Sequence, residues 1–343
     1  MRFETAAAPH LPVQASVPRL MRRVLWALAP AAAAHLWFFG PGLAFNLTVA
    51  VVTALAAEAL MLRLRGRPLG PGLADGSAVL AAVLLAFALP PLTPWWITAT
   101  GSAFAMIVAK HLYGGLGYNV FNPAMAGYAV VLVSFPGQLA LWSVAAPGGL
   151  APPALDVGQT LAFTLTGRLP DAVTLDAITQ ATPLDAMRSG LAQLQTLSEI
   201  RAVAPFGGPG EQAWLWINGL IALGGLWLLW TRAIRWHIPV AMLATLALLS
   251  AVAAAIDGDR FPGPFLQLFS GAALIGAFFI ATDPVSAATT RLGRLIYGSG
   301  IGALVFAIRS WGGYPDGVAF AVLLMNLVVP LLDRHTRSRP FGT

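Results

Sequence analysis

The sequence has 343 residues and no cysteine, and charged side chains make up only 10% of it. Without cysteine, the chain itself cannot form a disulfide framework, a thiolate zinc site or a cysteine-ligated iron–sulfur cluster. The shortage of charge is equally informative, because soluble domains carry roughly 25% charged residues. An ordinary soluble enzyme and a disordered chain are therefore both excluded.

Hydrophobic residues supply 57% of the chain, and its mean hydropathy is +0.74. A soluble core could not bury this much apolar surface, so the chain must use lipid as its solvent. The net charge of +6 would suggest nucleic acid as the partner of a soluble protein. In a membrane protein it is typical of arginine-rich cytoplasmic loops, and no nucleic-acid partner is expected.

The apolar runs predict an all-α integral membrane protein with about ten transmembrane helices. The third run is short for a span and is followed by three prolines, which favours a broken or tilted helix. Abundant glycine within the runs is typical of closely packed helices. The runs occupy residues 24–39, 43–62, 77–89, 95–109, 123–142, 213–230, 238–256, 264–281, 295–308 and 318–332.

These runs divide the chain into five units. The run at 24–39 follows Arg22 and Arg23, but more spans come after it, so we interpret it as an uncleaved first span rather than a signal peptide. The units are a cytoplasmic N-terminal segment (1–23), a first five-helix membrane repeat (24–142), a long extracytoplasmic loop (143–212), a second five-helix repeat (213–332) and a cytoplasmic tail (333–343).

Positive charge is distributed unevenly between the predicted loops. If the N-terminus is cytoplasmic and each run crosses once, fifteen of the 20 Lys and Arg residues fall on the cytoplasmic side. Because cytoplasmic loops are enriched in Lys and Arg, this orientation is preferred. We expect a multi-pass protein of the bacterial inner membrane, with both termini cytoplasmic and the 143–212 loop in the periplasm.

The two sets of five runs predict an internal repeat. An odd number of spans in each half makes the second repeat inverted with respect to the first. A Gly-Tyr pair at 117–118 and again at 313–314 leads into the fifth run of each half. An Asp-Gly pair at 75–76 and at 257–258 precedes the third run. Chance similarity among apolar helices is the alternative explanation.

Two acidic residues near the runs are candidates for function. Glu58 is the clear carboxylate inside a run, and such groups are functional by default, although it could instead extend toward Arg63 one turn along. Asp283 precedes Pro284 and could accept hydrogen bonds from a ligand or cap a helix that follows. The five histidines do not cluster, so a haem pair or metal triad is not expected.

The central loop contains a helix start at residues 176–185. Thr182 suits the N-cap of this helix, and Pro183 suits its first turn. A helix N-terminus also favours an anion such as phosphate, so the same geometry would suit a phosphate ester on Thr182. Residue types alone favour the simpler interpretation, a polar loop with a helix start.

Several stretches taken together carry a family resemblance. The most specific are FFIATDPVS at 278–286 and IRSWGGYPDGVAF at 308–320. FNPAMAGY at 121–128, with SFP at 134–136, and the Thr182 segment complete the pattern in the same order. The chain resembles the family that contains the D subunits of Rnf (also called Rsx) electron-transport complexes and the B subunits of Na+-translocating NADH:quinone reductases.

The resemblance implies a covalent FMN. Members of this family carry FMN as a phosphoester on a threonine, attached by a separate flavin transferase, within the signature Asp-x-x-Ser/Thr-Gly-Ala-Thr. Asp176, Thr179, Ala181 and Thr182 match this signature, which makes Thr182 the implied FMN-bearing residue. Gln180 stands where glycine is usual, and glutamine enters positive φ less easily than glycine.

The resemblance also implies a second flavin, a non-covalent riboflavin within the membrane. The family's asparagine pair corresponds to Asn119 and Asn122, whose amides can both donate to and accept from a flavin edge. Asp283 is a weaker candidate for the same site. The simpler interpretation is that Asn122 caps the helix that begins at Pro123.

The implied function is that of a flavin-carrying membrane subunit of an ion-translocating ferredoxin:NAD oxidoreductase. It would relay electrons between the covalent FMN and other subunits and couple this to Na+ or H+ transport. The implied partners are Rnf subunits of types A, B, C, E and G, a flavin transferase and membrane lipid. NAD and iron–sulfur sites are expected on those partners.

Other functions remain compatible with the residues. A component like the B subunits of Na+-translocating NADH:quinone reductases is nearest in class. A non-redox small-solute transporter built from inverted repeats, or a purely structural anchor, would not need the Thr182 segment. Bound flavin would argue against the transporter and the anchor.

Overall fold

The computed structural model describes residues 16–148, 155–171 and 173–336. Helices account for the regular structure of this part, which also contains one isolated antiparallel bridge between Ser143 and Thr179. The predicted all-α class is therefore confirmed. Most of the N-terminal segment and of the C-terminal tail lie outside the described residues.

The described residues of the first half form seven helices. The fifth of them continues into a π-helical segment at Ala105–His111, which contains Lys110, one member of a buried ion pair. The helices are α1 (Val17–Phe39), α2 (Gly42–Leu64), α3 (Leu69–Ala74), α4 (Ser77–Ala88), α5 (Trp95–Phe104), α6 (Pro123–Ser134) and α7 (Pro136–Leu139).

Four short helices lie in the described part of the central loop, and six more follow it before residue 337. A second π-helical segment, Gly276–Ile280, follows α15. The loop helices are α8 (Val157–Thr166), α9 (Leu175–Ile178), α10 (Pro183–Ala192) and α11 (Leu197–Arg201), and the second half has α12 (Pro209–Trp230), α13 (His237–Ile256), α14 (Pro264–Phe269), α15 (Ala273–Ile275), α16 (Arg291–Trp311) and α17 (Val318–His335).

Within the described residues, five helices are long and apolar enough to cross a membrane. They are α2, α12, α13, α16 and α17, and the shorter helices α4 and α6 are also apolar. The chain is therefore a multi-pass membrane protein. The predicted count of ten spans is not confirmed: α4, α5, α6 and α14 are shorter than a full span, and α1 is not among the five apolar helices although it has 23 residues.

Proline sets the start of several helices. Pro123, Pro136, Pro183, Pro209 and Pro264 each occupy the first turn of a helix. The backbone N–H of a residue in the first turn has no partner within the helix, so a proline, which lacks this N–H, loses no hydrogen bond there. The fixed φ of proline also suits the first turn. The many prolines of the sequence thus mark boundaries between helices.

Glycine lets the long helices pack closely. A Cβ atom on Gly224 of α12 would overlap the carbonyl oxygen of Ala27 in α1. A Cβ atom on Gly302 of α16 would likewise overlap the carbonyl oxygen of Met242 in α13. Small residues at such contacts are typical of membrane helix packing, where close backbone approach supplies the attraction.

A buried ion pair joins α2 to the π-helical segment after α5. Both carboxylate oxygens of Glu58 accept from Lys110 Nζ at 2.7 Å, and the two side chains are 2–3% exposed. Lys110 also donates to Ser77 Oγ at 2.8 Å, and His111 Nε2 lies 3.2 Å from Glu58 Oε1. Glu58 therefore does not extend toward Arg63.

We expect Glu58→Leu to lower the free energy of unfolding by about 3–5 kcal/mol, because it leaves the Lys110 charge buried without a partner. Lys110→Met should cost a similar amount for the reciprocal reason. The double variant should be destabilised by much less than the sum of the two. Denaturant unfolding of the purified protein in detergent, followed by tryptophan fluorescence, measures all three.

Arg63→Gln is the matched control, because Arg63 is exposed in the last turn of α2 and should not alter unfolding. Additive effects of the Glu58 and Lys110 substitutions would show that the pair is not energetically coupled.

Candidate functional site

Two cavities lie toward opposite ends of α1. The first, here the Thr182 cavity, has a volume of about 260 Å³ and is lined near the C-terminal end of α1 by His35. The second, here the Asn119 cavity, has a volume of about 100 Å³ and is lined near the N-terminal end of α1 by Leu20 and Met21. Leu84 of α4 lines both, so one side chain lies between them.

Thr182 lies at the start of α10, as the sequence predicts. Its Oγ1 accepts from the backbone N–H of Asp185 at 3.2 Å, and Pro183 follows in the first turn. The Thr182 side chain is half-buried and lines the cavity named after it. The predicted N-cap is therefore confirmed.

The segment before Thr182 is fixed by backbone pairing. Gln180 N–H donates to the carbonyl of Trp142 at 2.8 Å, and Thr179 forms the bridge to Ser143. Gln180 is not among the described residues that have a positive φ. Glutamine thus occupies the usual glycine position of the signature without backbone strain.

The structure does not bring the whole predicted attachment segment to the cavity. Asp176 and Ala181 are exposed, and Thr179 Oγ1 donates to the carbonyl of Leu175 at 2.9 Å. Pro183, the first residue of α10, is buried. Apart from Thr182, the residues predicted for FMN attachment do not line the cavity and instead fix the course of the chain around the threonine. These residues are Asp176, Thr179, Gln180, Ala181 and Pro183.

Aromatic side chains form much of the wall of the Thr182 cavity. Trp142 and Trp214 pack edge to face with their ring centroids 5.0 Å apart. Phe87, Tyr128 and Tyr314 line other parts of the wall. A mostly apolar cavity with a few polar groups is the usual form of a site for a planar organic ligand.

Two polar residues of the cavity come from the same helix. Asp185 and Arg188 reach it from α10. Burial raises the pKa of the Asp185 carboxyl above its usual value, and the charge of Arg188 acts in the opposite direction. The carboxyl beside Thr182 is therefore protonated at a higher pH than an exposed aspartate.

Sequence reasoning missed two polar residues of this cavity, His35 and Asn218. Each interrupts an apolar run, at 24–39 and at 213–230, and that interruption was the available signal. Both side chains are buried, and each leaves hydrogen-bonding capacity unused within the described chain. Their position on two facing helices could not be known without the packing of α1 against α12.

The Asn119 cavity brings together the other predicted site residues. Asn119, Asn122 and Asp283 all line it, together with Lys110 of the buried ion pair. Residues far apart in sequence thus line one cavity.

The hydrogen-bonding groups of Asn122 are largely paired with other residues of the chain. Its Oδ1 accepts from the N–H of Met125 at 3.2 Å, which confirms the predicted cap of α6. Its Nδ2 donates to the carbonyl of Ile280 at 3.3 Å, and its backbone N–H donates to Asn326 Oδ1 at 3.1 Å. Asn122 therefore fixes the junction between the two halves of the chain.

Asp283 does not cap a helix after Pro284, which corrects one of the two sequence alternatives. Turns follow Pro284, and the next helix begins at Arg291 with Thr290 as its cap. Asp283 Oδ2 instead accepts from Ser286 Oγ at 2.7 Å. Pro284 removes the N–H that a continuous helix would need here, so the chain turns before the helix begins.

Comparison with known proteins covers the whole length of the chain. A model of the "NQR2, RnfD, RnfE family" matches residues 4–342. A protein of Aliivibrio salmonicida, named as the D subunit of an ion-translocating oxidoreductase complex, is 47% identical over 100% of this chain and 99% of its own length. Proteins of the same name from Citrobacter koseri and Aeromonas hydrophila are 49% and 48% identical, and each is covered over 99% of its length.

The match extends over nearly the whole chain and, in each of these relatives, over 99% of its length. The chain belongs to the NQR2, RnfD, RnfE family.

Proposed function

We propose that the chain is the flavin-carrying membrane subunit of an ion-translocating ferredoxin:NAD oxidoreductase of the Rnf type. The full-length relatives are named as subunits of an ion-translocating oxidoreductase complex. The observation that carries the flavin assignment is a cavity of about 260 Å³ with Thr182 on its wall. In this proposal the protein relays electrons and couples their movement to Na+ or H+ transport.

The proposed topology has ten crossings arranged as two inverted five-element repeats. Helix packing supports it, because α1 contacts α12, and α6 contacts α17. In an inverted repeat, the first element of each half and the last element of each half would pair in this way about the pseudo-twofold axis. The proposed location is the bacterial inner membrane, with cytoplasmic termini and the Thr182 loop in the periplasm.

The proposed cofactor of the Thr182 cavity is FMN, joined through an ester bond between its phosphorus and Thr182 Oγ1. The N-terminus of α10 favours the phosphate, and Arg188 adds a positive charge at the cavity. The aromatic wall suits a planar ring, so the residues fit the group.

The flavin supplies the redox chemistry when bound, and the chain supplies its environment. Trp142 and Trp214 form an apolar wall that excludes water from the cavity. Pro183 and the backbone bond from Gln180 to Trp142 hold Thr182 in place. Arg188 provides a donor for phosphate oxygens.

We propose that riboflavin, bound without a covalent link, occupies the Asn119 cavity. At about 100 Å³, this cavity is less than half the size of the Thr182 cavity, at about 260 Å³. It would therefore enclose one edge of the ring rather than the whole molecule. Asn119 donates through Nδ2 to the carbonyl of Phe121 at 3.1 Å, and Asp283 accepts from Ser286 Oγ at 2.7 Å, so each would bind that edge through its remaining oxygen lone pairs.

Proposed partners are the other Rnf subunits, of types A, B, C, E and G, together with membrane lipid. A flavin transferase would be needed for maturation. The chain has no cysteine, so iron–sulfur clusters with cysteine ligands would belong to the partners.

We expect the full-length protein, co-expressed with a flavin transferase, to give a flavin-fluorescent band in a denaturing gel. Thr182→Val should abolish the band, because valine has no hydroxyl to form the ester. Peptide mass spectrometry would place the modification.

Thr196→Val is the matched control for this experiment. Thr196 is also a threonine N-cap in the same loop, with its Oγ1 accepting from Glu199 N–H. The control should keep the fluorescence while losing a helix cap. A wild-type protein without fluorescence and with an unmodified Thr182 peptide would overturn the covalent-flavin proposal.

We expect Asn119→Leu or Asp283→Leu to weaken retention of riboflavin by about tenfold, because each removes a buried hydrogen bond of roughly 1–1.5 kcal/mol. Chromatography of the flavin released by acid, relative to the covalent FMN that stays on the protein, measures the loss. Tyr118→Phe, at an exposed neighbour in the same loop, is the control. Unchanged retention in both variants would place riboflavin elsewhere.

A further inference from the structure

Among the described residues, His35 is a buried side chain of the bundle interior whose ring nitrogens lack hydrogen-bond partners. It lies in α1, is 2% exposed and lines the Thr182 cavity. Neither ring nitrogen has a hydrogen-bond partner within the described residues. A buried polar group left without a partner costs about 1–3 kcal/mol, so this position is expected to be occupied by a partner outside the chain.

The His35 ring is held by aromatic neighbours rather than by polar ones. Its centroid lies 4.9 Å from that of Phe39, 6.2 Å from that of Phe87 and 6.5 Å from that of Trp142. Apolar surroundings favour the neutral form of an imidazole, because a charged ring would lose its hydration there. A neutral imidazole offers one N–H donor and one acceptor nitrogen.

Asn218 adds an acceptor from the facing helix, α12. Its Nδ2 donates to the carbonyl of Phe269 at 2.9 Å, which fixes the orientation of the amide. Its Oδ1 then has no hydrogen-bond partner in the described chain, although the residue is 1% exposed. The cavity therefore has a donor and an acceptor at His35 and a fixed acceptor at Asn218.

These groups match the chemistry of a flavin ring. The polar edge of an isoalloxazine alternates carbonyl and ring-nitrogen acceptors with an imide N–H donor. Asn218 Oδ1 complements the imide N–H, and the His35 N–H complements an acceptor.

We propose that His35 and Asn218 hydrogen-bond to the ring edge of the flavin attached at Thr182, and that His35 raises the reduction potential of this flavin. This rests on the proposed function, in which Thr182 carries FMN. The N–H of His35 favours the reduced ring, because the acceptor atoms of the ring become richer in electrons on reduction. Asn218 fixes the orientation of the flavin ring by accepting a hydrogen bond from the imide N–H of the ring.

The test uses the full-length protein co-expressed with a flavin transferase and purified in detergent. His35→Leu and His35→Phe remove the donor, and His35→Gln keeps one. In-gel fluorescence checks that each variant still carries covalent flavin. A spectroelectrochemical titration then measures the midpoint potential of that flavin.

We expect His35→Leu and His35→Phe to lower the midpoint potential by about 30 mV, which is a roughly tenfold shift toward the oxidised form of a two-electron couple. His35→Gln should restore most of the difference. His335→Gln, at an exposed position in the last turn of α17, should leave the potential unchanged. His35→Phe keeps a ring in the cavity wall and carries the test if the leucine variant does not fold.

Resonance Raman spectra of the oxidised flavin give a second readout. Asn218→Leu should shift the band that involves the imide N–H, because the fixed acceptor is lost. The band should still respond to D₂O, since the N–H itself remains.

The outcomes separate the two proposals. Wild-type protein without covalent flavin overturns the proposed function and this inference with it. Covalent flavin whose potential is the same in wild type, His35→Phe and His35→Leu overturns the His35 assignment alone. An imide band unchanged in Asn218→Leu overturns the Asn218 assignment.

Discussion

The interior of the bundle contains little water, so each buried polar group must find its partner within the chain or on a bound molecule. Glu58 and Lys110 satisfy this requirement through each other, with Ser77 as a third member. Asn122 satisfies it through the N–H of Met125 and the carbonyl of Ile280. His35 does not satisfy it within the described chain, which is why its place on a cavity wall points to a ligand.

The same requirement organises the breaks in the helices. Where the backbone leaves helical geometry, side chains replace the missing partners. Asn326 of α17 accepts from the N–H of Asn122 and donates to the carbonyl of Ser286. Arg309 donates to the carbonyls of Gln267 and Ser270 near the end of α14. Polar residues on the long helices thus stabilise the irregular segments that line both cavities.

Local sequence signals were sufficient where the determining interaction was local. The all-α class followed from the apolar runs, and the starts of α6 and α10 followed from Asn122 before a proline and from Thr182 before Pro183. The partner of Glu58 could not be predicted in this way. Lys110 lies 52 positions further along the chain, and the nearby Arg63 was the natural local alternative.

The sequence by itself determined a multi-pass helical membrane protein, its family and the threonine at the start of a loop helix, because composition, turn chemistry and contiguous motifs are local properties of the chain. Only the tertiary structure decided which distant side chains share a cavity. His35 and Asn218 come together because close packing brings α1 against α12, where Gly224 leaves room for the backbone of Ala27. Such a contact depends on the three-dimensional course of two helices and has no local signature.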